Sequence, residues 1–221
     1  MRISDYLQIG RGITALIGGG GKTTLLYTLT EELRKKGRVI LTTSTRIREP
    51  RQYPVCCSEE DAKNVLRDEG AVCLASRRSD GKLGIPGLPF SRLAALADFV
   101  LVEADGARML PLKAHRPTEP VIPDGTERIV CVVGADGFSR PIREVCHCSE
   151  RYAALADASP DAVVTPELAA RVLLREGLGD RVFINKVESP QDYENARRLA
   201  ELLHCPVVAG SLFQGVYVCL R

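Results

Sequence analysis

The sequence predicts an α/β protein with a three-layer α/β/α fold, in which helices cover both faces of a mostly parallel sheet. Mainly apolar runs such as Ile13–Ile17, Val39–Leu41 and Phe99–Val102 are typical of parallel strands buried on both faces. Amphipathic runs such as Leu25–Leu33 separate these strands along the chain. Strands that alternate with amphipathic helices are the pattern of an α/β fold.

Length, net charge and the distribution of apolar residues restrict the classes of protein to which the chain can belong. We predict one domain over residues 1–221, with irregular insertions around 107–128 and 135–160. A net charge of +2 gives no basic surface for nucleic acid. No apolar run has the length of a membrane span, and the first residues lack the apolar core of a signal peptide. We therefore expect a cytoplasmic protein without nucleic-acid or membrane partners.

A glycine turn joins the first predicted strand to the first long helix. It consists of Gly18, Gly19, Gly20, Gly21, Lys22, Thr23 and Thr24. Glycines let the backbone turn its N–H groups toward an anion, and the helix that follows adds the positive end of its dipole. The turn is a shortened P-loop, because Leu16 stands where a glycine normally precedes the lysine. It predicts nucleotide binding, with Lys22 at the outer phosphates and the Thr23 hydroxyl on Mg²⁺.

The other helices and strands are predicted from residues that commonly begin or end such elements. Ser4 is predicted to cap a short first helix that ends at Gly10, and the helix after the glycine turn is predicted to reach Lys36. Further helices are predicted at 58–69, 90–97, 165–177 and from 189 onward, and strands at 71–75, 82–84, 129–133, 182–184 and 206–210.

Hydroxyl side chains fill the end of the second strand, Thr42–Thr45. Ligands gather at the carboxyl ends of strands in open α/β sheets. Thr43 or Thr45 therefore either completes the magnesium shell or touches the γ-phosphate, or else caps local backbone groups. Arg46 follows in a basic loop.

An apolar strand beginning at Phe99 ends in Glu103, and Asp105 follows in an acidic turn. A buried strand of this kind presents a carboxylate to Mg²⁺ or its water shell. One acid is expected to serve the metal and the other to orient the attacking water, and position alone leaves the assignment open. Together with Lys22 they are the predicted catalytic residues.

Cationic side chains and three prolines share the stretch 108–120. The prolines predict a stiff, exposed loop rather than a helix. Arg108, Lys113 and Arg116, together with Arg46, either clamp a second anionic ligand beside the nucleotide or belong to a solvated connector.

Asn185-Lys186-Val187-Glu188 follows a predicted strand and resembles the guanine-reading Asn-Lys-x-Asp element of G proteins. In that element a carboxylate accepts two N–H bonds from the base while the lysine stem stacks on the ring. Ser211 falls where those proteins place their last base-contacting turn. Glutamate in place of aspartate leaves the choice between ATP and GTP open, because buried polar recognition tolerates little misfit.

Two of the eight cysteines flank His147 in a polar stretch, as Cys146 and Cys148. This cluster is a candidate for holding a metal, although its spacing is not that of a zinc knuckle. Adjacent side chains on an extended chain also point in opposite directions.

Several motifs together resemble one family. They are the glycine turn, Thr42–Thr45, the Glu103–Gly106 block with Leu110–Lys113 and Glu119–Pro123, Val133–Asp136, and Asn185–Val187. With these motifs the chain resembles the YqeC family over almost its whole length. The Glu103–Pro123 block is the most specific part, since generic P-loop proteins lack it. Cys146–Cys148, where a His-Arg-Pro-like stretch is expected, and Ser44, which interrupts a threonine run, depart from the family pattern.

The resemblance implies a role in the maturation of selenium-dependent molybdenum hydroxylases. We therefore expect a Mg²⁺-dependent slow NTPase that binds ATP or GTP and acts, with other maturation proteins, on an anionic selenium or pterin-cofactor substrate. Two alternatives stay open. One is an ATP-dependent ligase or kinase of a small acid, because Mur-type ligases carry similar short loops. The other is a non-catalytic carrier, gated by nucleotide, that holds selenium or a metal at Cys146, His147 and Cys148.

Overall fold

The computed structural model describes all 221 residues, which pack as two compact units. The first unit comprises Met1–Leu16, Thr23–Gly106 and Val121–Arg128. The second unit comprises Ile17–Lys22, Ala107–Pro120 and Ile129–Arg221. The chain passes from one unit to the other several times, so residues far apart in sequence belong to the same unit.

The elements up to Gly106 begin with a short helix and alternate strands with helices. The helices are α1 (Ile3–Tyr6), α2 (Lys22–Leu33), α3 (Glu59–Asp68) and α4 (Phe90–Leu96). The strands are β1 (Gly12–Gly18), β2 (Val39–Thr43), β3 (Arg46–Arg48), β4 (Val55–Cys56), β5 (Ala71–Leu74), β6 (Ser76–Arg77), β7 (Lys82–Gly84) and β8 (Phe99–Glu103).

The main sheet of the first unit is parallel. Its strand order is β1-β8-β2-β5-β4, and β3, β7 and β6 form a separate antiparallel sheet. Parallel strands covered on both faces must be apolar throughout, and β2 and β8 are buried at every residue. In register, Thr43 lies opposite Glu103, so the hydroxyl-rich and acidic strand ends meet at one edge.

The elements after Gly106 include the remaining helices and strands. The helices are α5 (Ile142–Val145), α6 (Ser149–Ala156), α7 (Pro166–Glu176) and α8 (Pro190–Leu202), with a 3₁₀ turn at Ala135–Gly137. The strands are β9 (Leu112–Lys113), β10 (Thr126–Gly134), β11 (Cys146–His147), β12 (Arg181–Asn185), β13 (Val207–Ser211) and β14 (Val216–Cys219).

The main sheet of the second unit has the order β14-β13-β12-β10. Strands β10, β12 and β13 run parallel, and only the pair β13–β14 is antiparallel. Strands β9 and β11 form a separate parallel pair that joins Leu112 to Cys146 and Lys113 to His147. The α/β class and the mostly parallel sheet are therefore confirmed, while the prediction of one domain stays a prediction.

Three local predictions need correction. Ser4 is not a helix cap, because Arg2 holds that position and α1 ends at Tyr6, before Gly10. Helix α2 ends at Leu33 rather than near Lys36. The region 135–160, expected to be irregular, contains α5 and α6.

None of the helices combines the length and the apolar character needed to cross a membrane.

Candidate functional site

The glycine turn is shaped by close backbone contacts inside the second unit. Gly20 has φ +75° and Gly21 has φ +119°, in the region that favours glycine. A Cβ on Gly20 would lie 2.2 Å from the Gly134 nitrogen, and one on Gly21 would lie 2.6 Å from Asn185 Nδ2. Both distances are shorter than real Cβ contacts, so a side chain at either position would displace a neighbour, which at Gly20 is backbone.

Two N–H groups of the turn do not point toward an anion. The N–H of Gly19 donates to the Val132 carbonyl at 2.9 Å, and that of Gly20 donates to the Leu110 carbonyl at 3.1 Å. The prediction that the glycine N–H groups turn inward is wrong for these two, because neighbouring backbone already supplies their acceptors. The start of α2 is different, because Thr23 and Thr24 carry N–H groups that have no acceptor within the helix and that could donate to an anion.

Lys22, the first residue of α2, is buried and folds back over the glycine turn. Its Nζ donates to the Gly18 carbonyl. Folding back in this way keeps the ammonium hydrogen-bonded in a buried place, where an unmade bond would be costly. A phosphate bound at the turn would offer Nζ a charged acceptor, and hydrogen bonds between charged groups are about twice as strong as neutral ones.

The next residue, Thr23, connects α2 to the acidic end of β8 within the first unit. Its hydroxyl donates to Glu103 Oε2 at 2.8 Å, and Glu103 is buried. A hydroxyl and a carboxylate oxygen side by side are the hard oxygen ligands that Mg²⁺ takes beside substrate phosphates. The residues present therefore fit a magnesium ion, and Glu103, rather than Asp105, is the acid paired with Thr23.

The other two predicted metal ligands lie near the same strand end. Asp105 is fully buried beyond β8. The Thr43 hydroxyl donates to the Glu103 carbonyl at 2.7 Å and accepts the N–H of Thr45 at 2.9 Å. Of the two interpretations of Thr43, the structure favours local capping, because its hydroxyl already bonds backbone on both sides.

Asn185, at the end of β12, bridges the glycine turn to the turn after β13. Its Nδ2 donates to the Gly20 carbonyl at 2.8 Å, and its Oδ1 accepts the N–H of Leu212 at 3.1 Å. The side chain is buried, so both bonds are protected from water. The structure therefore brings the predicted base edge and the predicted phosphate turn together inside the second unit.

The remaining base-edge residues each have a polar partner. Ser211 donates its hydroxyl to Glu188 Oε1 at 2.8 Å. Lys186 has a left-handed backbone, with φ +64°, and its Nζ lies 2.7 Å from Asp136 Oδ2. Asp136 was not among the predicted site residues, and only the fold shows that it neighbours Lys186.

The cationic segment 108–120 is less exposed than predicted. Lys113 lies in β9 with a fully buried side chain, and its Nζ contacts Glu119 Oε2 at 2.8 Å. His115 is also buried and pairs with Glu176. The prediction of an exposed loop is wrong for Lys113 and His115, since Lys113 pairs in β9 with β11 and His115 is held by Glu176. Arg108 and Arg116 are exposed, as predicted.

The four cations predicted to bind an anion lie in different environments. Arg46 lies on β3 of the first unit and is 3.8 Å from Asp80. Arg108, Lys113 and Arg116 belong to the second unit. Burial lowers the pKa of His147, and the positive charges of Lys113, Arg108 and Arg116 lower it further. The four cations also differ in burial, since Lys113 is buried while Arg46, Arg108 and Arg116 are exposed.

The Cys-His-Cys cluster is spread over different environments. Cys146 is buried in β11, and burial raises the pKa of its thiol. His147 and Cys148 are partly exposed, and Cys148 has φ +60°. Nowhere in the chain do three His, Cys, Asp or Glu side chains converge as a metal-binding group. The cluster is thus no preformed metal site.

The fold and the glycine turn define the class: an α/β protein whose first strand leads through a shortened P-loop into a helix. The chain belongs to the YqeC family, since the family model described as YqeC protein matches residues 14–150. It is 31% identical over 212 residues to protein YqeC of Escherichia coli (strain K12), covering 86% of this chain and 81% of the relative.

A solved structure gives a weaker likeness. The 54 kDa signal recognition particle protein of Aeropyrum pernix K1, crystallised in complex with GDP, matches with a TM-score of 0.44 and 16% identity. The match covers 96% of this chain and 44% of the archaeal protein, so the chain spans less than half of that protein.

Proposed function

We propose that this protein binds a nucleoside triphosphate with Mg²⁺ and hydrolyses it slowly. The observation that carries the proposal is the hydrogen bond from Thr23 to Glu103, directly after the buried Lys22. Thr23 and Glu103 would hold Mg²⁺, which neutralises phosphate charge when it is bound. Lys22 would exchange the Gly18 carbonyl for a phosphate oxygen, and Asp105 would orient the attacking water.

Base recognition is proposed for the residues around Asn185. Asn185 fixes the turn after β13 to the glycine turn through two hydrogen bonds. Glu188 would accept N–H groups of the base, with one carboxylate oxygen held in place by Ser211. Adenine presents one exocyclic N–H₂ group, whereas guanine presents an N–H and an N–H₂ on one edge, so measurement must decide between ATP and GTP.

The biological role is proposed from the family. We propose that the protein assists, in the cytoplasm, the assembly of the selenium cofactor of a molybdenum hydroxylase, together with other maturation proteins. An anionic selenium or pterin-cofactor substrate would be bound by Arg108, Lys113 and Arg116. The support is that the three cations belong to one segment of the second unit, in which Lys113 pairs in register with His147.

Thermal unfolding tests nucleotide binding. We would measure the midpoint of the wild type and of Lys22→Ala with Mg²⁺ and ATP, GTP or no nucleotide. A ligand at a hundredfold its Kd stabilises by about 2.7 kcal/mol, which shifts the midpoint visibly. We expect the wild type to shift with one nucleotide and Lys22→Ala not to shift.

The matched control is Lys35→Ala, an exposed lysine beyond the other end of the same helix, which should shift like the wild type. A wild type that shifts with neither nucleotide contradicts the proposal. Phosphate release measured with and without small carboxylic acids then separates hydrolysis from the ligase alternative, because a ligase needs the acid.

A further inference from the structure

A half-open cavity of about 240 Å³ lies in the second unit, apart from the residues proposed for nucleotide binding. Its wall is mainly apolar and includes Ile17, Leu173, Leu178, Val182 and Leu203. Small-molecule sites in proteins are concave and mainly apolar, with a few placed polar groups that orient the ligand. The shape and the wall of this cavity meet that description.

The buried polar part of the wall is a histidine–carboxylate pair, and the exposed His204 also lines the cavity. Glu176 Oε2 lies 2.8 Å from His115 Nδ1, and Glu176 Oε1 accepts the main-chain N–H of His115 at 2.6 Å. The side chains are 3% and 6% exposed. An ionised carboxylate only accepts hydrogen bonds, so it holds the proton of a neutral His115 ring on Nδ1. The proposed nucleotide chemistry uses neither residue.

Charge and size decide which ligand fits. Glu176 is the only carboxylate in the lining, which contains no lysine or arginine. A buried negative charge favours N–H or O–H donors and disfavours phosphates and carboxylates. An apolar cavity of about 150 Å³ is known to hold benzene, so a cavity of about 240 Å³ has room for a two-ring molecule.

We propose that this cavity is a second binding site, for a small aromatic molecule that carries a hydrogen-bond donor toward the His115–Glu176 pair. The site touches the base of the glycine turn through Cys131, another lining residue. Cys131 Sγ lies 3.3 Å from where a Cβ on Gly18 would stand, and the Gly18 carbonyl accepts the Lys22 ammonium. An occupant therefore packs against the residues that position Lys22.

The test compares two probes of the same shape, indole and benzothiophene, where sulfur replaces the N–H group. Binding to the full chain without nucleotide is measured by titration calorimetry. We expect indole to bind and benzothiophene to bind at least about tenfold more weakly, because a hydrogen bond to a charged acceptor is lost. Equal affinities, or no binding of indole at about 1 mM, would overturn the proposal.

Three variants test the location and the chemistry of the site. Cys205→Phe places a ring in the cavity and should abolish indole binding, while Cys57→Phe, at an exposed cysteine outside it, should leave binding unchanged. Glu176→Gln keeps the side-chain shape and removes the charge, so the preference for indole over benzothiophene should shrink. Urea unfolding of each variant confirms that it is folded. Undiminished indole binding by a folded Cys205→Phe would place the site elsewhere and refute the assignment.

A coupling to nucleotide rests on the proposed function. Because the cavity wall packs against Gly18, saturating indole should change the Kd of the wild type for the nucleotide, and the nucleotide should change the Kd for indole by the same factor. If indole binds but the nucleotide Kd stays constant, the coupling is refuted. If no nucleotide binds at all, the proposed function fails, while the indole titration still tests the cavity.

Discussion

The glycine turn Gly18–Gly21 and the segment Leu112–Glu119 belong to the same unit, but different interactions stabilise them. In the turn, backbone packs on backbone, and Gly20 leaves no room for even a Cβ. In the segment, the polar side chains of Lys113 and His115 are buried and paired, Lys113 with Glu119 and His115 with Glu176. The glycine turn keeps its conformation because its residues lack side chains, whereas the segment needs the side chains that it carries.

The difference predicts how each region fails. A turn packed backbone to backbone is disrupted by any added atom, because neither partner can move away at low cost. A segment held by buried charges is disrupted when one partner is removed, because the other charge stays buried without compensation. The effect of a substitution on stability should therefore depend on side-chain volume in the glycine turn and on side-chain charge in the segment.

The largest effect is expected from Gly20→Ala. The new Cβ would lie 2.2 Å from the Gly134 nitrogen, on a residue with φ +75°. Clash and backbone strain together should lower the free energy of unfolding by at least about 3 kcal/mol, measured by urea titration. Gly87→Ala is the control, since nothing lies within 4 Å of its Cβ position. Equal stability of the two variants would contradict packing as the constraint.

A smaller effect is expected from Glu119→Gln, which keeps the side-chain shape and removes the charge opposite Lys113. Lys113 is fully buried, while Glu119 keeps 23% exposure. That partial exposure reduces the expected loss to about 2 kcal/mol of unfolding free energy, below the loss for fully buried pairs. Glu194→Gln, in an exposed pair with Arg197, should leave the urea midpoint unchanged. A midpoint for Glu119→Gln that also stays constant would show that charge does not hold the segment.

The smallest effect concerns pH and His147, which pairs in register with Lys113. Burial, and then the charge of Lys113, lowers its folded-state pKa below the ordinary value of 6.5. Between the folded pKa and 6.5 the unfolded chain binds more protons, so stability should fall as pH falls through this window. His147→Gln should remove this part of the decline in urea titrations between pH 8 and pH 5. A variant with the same decline as the wild type would exclude His147 as its source.

Local signals predicted much of the fold and the centre of the candidate site. The Ser58, Thr165 and Ser189 caps each accept an N–H bond three residues on, where the sequence placed helix starts. The strand before Glu103 has the predicted apolar character because burial on both faces imposes it. Long-range partners were missed: nothing near Lys186 indicates Asp136, and nothing near His115 indicates Glu176, 61 residues away.

By itself the sequence determined the α/β class, the strand–glycine–helix junction and the acidic strand end, because these depend on neighbouring residues and on periodicity. Only the tertiary structure decided that Glu103 rather than Asp105 pairs with Thr23, and that the Gly19 and Gly20 N–H groups bond Val132 and Leu110. It also decided that Lys113 is buried. Hydrogen-bond partners and burial depend on which distant segments the folded chain brings together, and no local pattern encodes that choice.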